Sequence, residues 1–424
     1  MKRPSVLLGM SHGLSALLMA ARKAAWMATL LVAANAGIAA PPSITLAVWQ
    51  VLPAEKAALA QAIASFTQAT GIQVKTQVIA DKYMDVIRSR FAGRITPDVF
   101  YLDSHEAPIL IRSGVLVPLD AHVGVPNDFY PQFLEAFRGE NRKLYGLPKD
   151  YSTLALYINT ALLKQAGFSL ADVPTDQVAL MDFARRLQAK LPRGVAAMIL
   201  EKDLARHLAA IESYGTALID AKGDARLVGN AGAVTYLQAF VDGRKGGYVL
   251  SPKDDLGADS PGAAFGAGKT VMMMEGNWVL SALRKDYADI AFVTREMPRI
   301  NGRPNTMAFV VGYAVPRFAK NPEGGIRFAQ FMTRGAMKEW SRGSGTLPSR
   351  SGVQAELGAT QDAALAAHIA GARYATVWSR GTSLPVVNTN FGNQFQAALN
   401  GSISVAEALR RAEQASNREI ERQR

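Results

Sequence analysis

The stretch Gly262–Leu280, GAAFGAGKTVMMMEGNWVL, ends its glycine-rich run in Gly-Lys-Thr, as a phosphate-binding loop does. Such a loop needs four residues between its first glycine and the Gly-Lys pair, so that successive backbone N–H groups wrap the phosphates. Ala263 stands where that glycine is required, and Gly262 lies one position too far upstream. A polar stretch precedes it instead of a buried strand, and the strand-like TVMMM follows where a helix should begin. The segment therefore reads as the end of a helix stopped by Gly266 and Gly268, with a solvated Lys269. Next come a strand with Met272, Met273 and Met274 in the core, and a strand-to-helix turn at Glu275, Asn277 and Trp278.

Other reactive residue types narrow the chemistry. The chain has no cysteine, which removes disulfides, thiolate metal sites, thiol nucleophiles and a lipid-attachment cysteine together. None of its five histidines stands at metal-ligand spacing, and no Gly-x-Ser-x-Gly elbow occurs. A carboxylate pair such as Asp150 and Glu275 leaves a glycosidase open, because sequence gives no distance between them.

A chain of 424 residues, 49% hydrophobic and 19% charged, is long enough for two ordinary domains. Residues 1–39 carry Lys2, Arg3, Arg22 and Lys23 and then an uncharged run ending in small residues, the layout of a secretory signal cleaved after Ala39. The alternative, an uncleaved anchor, is disfavoured by an apolar run of about 16 residues, short of a bilayer span. A secreted chain without a lipid-attachment cysteine points to the periplasm. Its formal charge falls from +12 to about +8 on cleavage. The lysines and arginines are scattered, without the basic stripe that nucleic-acid binding shows.

SITLAVWQ reads as a buried strand, PAEKAALAQAIASFTQATG as a helix opened by Pro53 and stopped by Gly71, IQVKTQVI as a strand, DKYMDVIRSRFAG as a helix begun by Asp81, and PDVFYLD as a strand. This alternation predicts a parallel α/β sheet whose carboxyl strand ends, at Trp49 and Asp103, face a ligand crevice. The rhythm breaks at Tyr145-Gly146 and Pro148, a residue unsuited to a central strand, and a long extended stretch follows as if the chain crossed between domains. NTMAFVVGYAVP reads as a second crossing, GTLPSR as a loop, and the last twenty residues as a charged amphipathic helix.

Four stretches, KLYGLPKDYSTLALYINTALLKQAG, AAFGAGKTVMMMEGNW, VVGYAVPRFAKNPEGGIRFAQFMT and GTLPSR, resemble in order and spacing the extracellular solute-binding proteins of ABC importers, the branch with maltose- and other sugar-binding proteins. The resemblance implies an α/β, two-lobed periplasmic-binding-protein fold of type II, with three chain crossings and a ligand cleft between lobes. It divides the chain into a first lobe at 40–151 and 312–340 and a second at 157–306 and 345–424. Hinge candidates are Thr153 to Leu156 and Val310 to Gly312. The partners implied are a small-molecule sugar and membrane permease subunits; a monomer suffices, and no cofactor, metal or nucleic acid is called for.

A sugar offers hydroxyls to carboxylates and amides, and flat C–H faces to aromatic rings. The resemblance puts the rings of Trp49, Tyr151, Trp278 and Tyr313 on the cleft wall, with Asp103, Asp150, Glu275 and Asn277 beside them and Gly312 in the second crossing. Glu55, Tyr83 and Arg350 stand where related proteins touch ligand. Each has a plainer reading: Trp278 as core, Asp103 and Asp150 as caps, Glu275 and Arg350 as solvated charges. A glycerol phosphate ester or another polar solute is the alternative cargo, and Lys149 and Arg350 leave the ester open. The segment 376–395 only loosely matches the family and leaves the third wall of the cleft open.

Overall fold

The computed structural model describes residues 41–49, 53–122, 124–358 and 362–424, so the expected leader lies outside the described residues. The strands are β1 (Ser43–Trp49), β2 (Gln73–Ile79), β3 (Val99–Asp103), β4 (Leu147–Asn159), β5 (Ala196–Ile199), β6 (Val249–Leu250), β7 (Thr270–Gly276), β8 (Phe292–Arg295), β9 (Met307–Ala314), β10 (Leu347–Pro348) and β11 (Thr376–Val377). They run in the order β2-β1-β3-β9-β4-β7-β5-β6, with β8 and β10 also on β4 and β11 on β9. The first three strands alternate with helices Pro53–Thr70 and Tyr83–Ala92 and pair in parallel, as the spacing predicts. The second helix starts at Tyr83, because Lys82 takes a left-handed φ of 47° and Asp81 Oδ1 accepts from the Lys82 N–H.

Two hydrophobic cores flank the sheet. Phe66, Phe100, Tyr101, Tyr313, Phe328 and Trp340 belong to the first, while Leu156, Phe183, Met198, Phe240, Met272 and Phe395 belong to the second. β4 joins them. Its first half, through Thr153, pairs with β9, and from Leu154 it pairs with β7. Pro148 does sit inside β4, between β9 and β10, where a register shift between Pro148 and Asp150 accommodates a residue that cannot donate to the ladder. At the same level Thr306 Oγ1 accepts from the Leu154 N–H at 3.1 Å and donates to the Leu154 carbonyl at 2.8 Å, so the second connection meets the first where β4 changes partner.

The third connection is the helix Ala363–Gly371 with β11. Ala364 and Ala367 pack against a satellite cluster around Tyr157, whereas Ala372, Ala375 and Val377 belong to the first core. Residues before it stay with the first core: Leu347 and Pro348 pair with Tyr151 and Asp150, and GTLPSR is thus partly strand. Among the described residues no helix is long and apolar enough to cross a membrane.

The segment that mimics a phosphate loop is the short helix Pro261–Gly266 followed by Gly268 at φ +69°. Lys269 is not solvated as expected: its ammonium donates to the Leu256 carbonyl at 2.7 Å and staples that turn before β7. Met272 and Met273 are fully buried on β7.

Candidate functional site

The carboxyl ends of β1 and β3 carry one wall. Trp49, half-buried, meets Tyr83 edge-on at 5.3 Å and Tyr101 at 5.1 Å between ring centroids. The register sets Asp103 opposite Val311 and Val311 opposite Asp150, so both carboxylates share one cross-strand row and one face of the sheet. Asp103 Oδ1 lies 2.9 Å from His105 Nδ1, and Glu106 Oε1 lies 3.4 Å from His105 Nε2. Burial opposes charge on this imidazole, but Asp103 and then Glu106 outweigh it and push its pKa up to about 10. Asp150 is buried against the Lys149 ammonium and accepts from Trp340 Nε1 at 3.3 Å. The same ammonium lies 4.5 Å from the Tyr101 ring centroid and 4.6 Å from that of Trp340, an internal cation–π cage.

The other wall is built by β7 and the helix Leu204–Glu212. Glu275, 2% exposed, accepts from Arg206 Nη2 at 2.9 and 3.2 Å and from the Gly276 N–H at 3.0 Å. The Arg206 guanidinium lies 5.5 Å over the Trp278 ring, and Trp278 is 41% exposed. That exposure is large for an indole, and it leaves ring surface free for contact. Between the walls the rings continue: Trp278 to Phe309 on β9 at 5.3 Å, Phe309 to Trp378 at 6.5 Å, and Trp378 to His105 at 6.3 Å. Asn277 is buried, and its side-chain oxygen has no protein partner.

Several expected residues lie elsewhere or are already engaged. The Tyr83 hydroxyl is 3.0 Å from the carbonyls of Ala47 and Tyr101 and accepts from the Tyr101 N–H, so it stitches β1 to β3. Tyr151 is buried against Phe133 at 4.8 Å, and Tyr313 against Tyr101 at 5.5 Å. Burial pushes the pKa of both phenols up. At Gly312 a Cβ would stand 3.0 Å from Phe137 Cζ and 3.1 Å from the Leu147 carbonyl oxygen, so close packing accounts for the glycine. Arg350 Nε donates to Asp128 at 2.7 Å and is not a solvated loop charge. Glu55, half-buried in the first helical turn, is near enough that its charge helps raise the Tyr101 pKa after burial and the charges of Tyr313 and Asp150.

Sequence reasoning missed Arg206, His105, Phe309 and Trp378. The only signal was the weak family match over 376–395, which contains Trp378. A cavity of about 620 Å³, a volume ordinary for small-ligand sites, is lined by Ile111, Arg112, Tyr145, Gly223, Ser379 and Arg380 among others. None of Trp49, Asp103, Asp150, Glu275 or Trp278 lines it. Among the described residues no group of three His, Asp or Glu side chains is placed to hold a metal ion.

Solved structures of this architecture are numerous. An ABC substrate-binding protein from Listeria monocytogenes in complex with cycloalternan superposes with a TM-score of 0.79 at 19% identity, covering 90% of this chain and 99% of that one. The GacH receptor of Streptomyces glaucescens, described unliganded and with acarbose, gives 0.76 at 21% identity over 90% and 99%. The sugar-binding protein MalE of Xanthomonas citri gives 0.76 at 16% identity over 89% and 98%. The fold is thus the two-lobed binding-protein fold. A search of curated protein sequences found no match. Residues 61–367, most of the chain, match the bacterial extracellular solute-binding proteins, and the chain belongs to that family.

Proposed function

We propose that this protein is the periplasmic substrate-binding component of an ABC importer, capturing a neutral mono- or oligosaccharide by hinge closure, without a covalent step, and delivering it to membrane permease subunits. The observation that carries the reading is the charge pairing of the walls. Arg206 is matched by Glu275, His105 by Asp103 and Glu106, and Lys149 by Asp150. Each cation is spent on a carboxylate of its own lobe, and a half-exposed indole lies against Arg206. Such walls suit a ligand of hydroxyls and C–H faces better than one with a formal charge. The cations that a glycerol phosphate ester would use, Lys149 and Arg350, are tied to Asp150 and Asp128.

The solved relatives lend support, being described with cycloalternan, acarbose, tagatose or mannobiose. The signal-like leader and the absence of cysteine support a soluble periplasmic protein. For the lobes we assign 43–153, 309–357 and 372–377 to the first and 154–306 and 384–424 to the second. The earlier expectation began the second lobe's last part at 345; the pairing of β10 with β4 and the Arg350–Asp128 bond favour a later start.

Calorimetric titration with maltotriose, mannobiose, tagatose, glycerophosphodiesters and spermidine tests the reading. Saturable heat with at least one sugar is expected. Heat with a phosphodiester or polyamine and none with any sugar would sink it.

A further inference from the structure

Two of the connections between the lobes, β4 and the helix Ala363–Gly371, meet at one buried side chain, His368, which is 0% exposed, and the second connection reaches the same helix at Gly371. Its Nδ1 lies 2.7 Å from the carbonyl of Thr153, the last residue of β4 paired to the first lobe. A carbonyl only accepts, so Nδ1 carries the proton. The Thr153 hydroxyl returns a bond to the His368 carbonyl at 2.9 Å. Thr306, from the second connection, packs against the same place: a Cβ on Gly371 would stand 3.1 Å from Thr306 Cγ2 and 3.3 Å from Thr153 Oγ1. A side chain at Gly371 would press these two neighbours back by a few tenths of an ångström.

The other ring nitrogen has a different neighbour. His368 Nε2 lies 2.8 Å from the Tyr157 hydroxyl, and that hydroxyl lies 3.1 Å from the carbonyl of Gly276, two residues before Trp278. With Nδ1 protonated, a neutral imidazole leaves Nε2 an acceptor. The Tyr157 hydroxyl has one proton and two buried acceptors, one on the third connection and one on the Trp278 wall. It satisfies one at a time, and a shift of a few tenths of an ångström in its surroundings selects between them.

We infer that His368 and Tyr157 are positioning residues for ligand capture. The Tyr157 hydroxyl exchanges between His368 Nε2 and the Gly276 carbonyl as the hinge bends, and so ties the placement of Trp278 to the angle between lobes. The inference rests on the hinge-closure reading but names groups that touch no ligand. Packed interfaces of this kind have discrete arrangements, and biasing one shifts the population of the whole.

The chain lacks cysteine, so one label can be placed on each lobe through Lys56→Cys and Lys285→Cys, both exposed positions. The distance distribution between labels is recorded without ligand and with maltotriose, in the parent pair, Tyr157→Phe and His368→Asn. The asparagine amide keeps the bond to the Thr153 carbonyl and loses the one to Tyr157. Expected is a displaced or broadened distribution without ligand in both variants, with maltotriose affinity changed about five-fold or more, the lower range of ordinary coupling between sites. Far-ultraviolet dichroism verifies folding of each. Unchanged distributions in a folded Tyr157→Phe and a folded His368→Asn overturn the relay, as does a variant whose melting temperature alone changes. If the parent binds no sugar, the proposed cargo fails while the ligand-free distributions still decide the relay.

Discussion

The Arg206 guanidinium lies 5.5 Å over the Trp278 ring while its Nη2 holds the buried Glu275 carboxylate at 2.9 Å. One cation thus packs on the indole and neutralises the buried carboxylate. Removing either partner has different consequences.

Trp278→Ala deletes ring surface that is 41% exposed, so the fold should persist. A buried aromatic anchor at an interface is worth about 2 kcal/mol or more, which corresponds to roughly 30-fold in affinity. Calorimetry should show at least that loss for a sugar bound by the parent protein. An unfolded variant would instead identify the indole as core.

Arg206→Ala leaves Glu275 buried without its cation, a change that costs about 3–5 kcal/mol. The double variant Arg206→Ala/Glu275→Gln should recover a large part of that loss, since the remaining group is neutral. Urea unfolding of the parent, both single variants and the double variant measures the coupling. Additive losses would mean that the pair does not act as a unit.

Arg350→Ala separates the two readings of that residue. It breaks the bond to Asp128 and the weaker one to the Thr333 carbonyl, both within the first lobe. Stability should fall by about 1–3 kcal/mol, as for other hydrogen bonds to charged groups, with ligand affinity unchanged. A selective loss of affinity would return Arg350 to the cleft.

Stability should peak near pH 6.5. The imidazole of His105 is raised to about 10, so its contribution is complete below the unfolded value and disappears as the pH climbs toward 10. Burial lowers His207 and His368 to about 4, so below about 6.5 the unfolded chain takes up protons first and stability falls toward pH 4. Melting temperatures from pH 4 to 10 should trace both limbs, and His105→Asn should flatten the alkaline one. An unaltered alkaline slope in that variant would remove His105 as its cause.

How much of this was legible varies by element. β1, β2 and β3 announce themselves through apolar runs bounded by Gly and Pro signals, and their parallel pairing follows from the helices between them. The insertion of β9 between β3 and β4 was not legible, because it joins Phe100 to Ala314 across about half of the chain. Pro148 misled for a physical reason: a strand with a bulge tolerates a missing donor that a regular ladder does not. Arg206 escaped notice because it lies in a helix whose spacing reads as core, and its partner Glu275 is 69 residues away.

The sequence by itself determined the local elements, the lack of cysteine in the chain and, through four ordered motifs, the family. These depend on periodicity, composition and neighbouring residues, which a linear string contains. Only the tertiary structure decided that Arg206 lies over Trp278, that Tyr83, Gly312 and Arg350 have structural partners, and that His368 meets Thr153 and Tyr157. Ion pairs, ring contacts and shared protons act over a few ångströms, and residues come within that range through folding, whatever their separation along the chain.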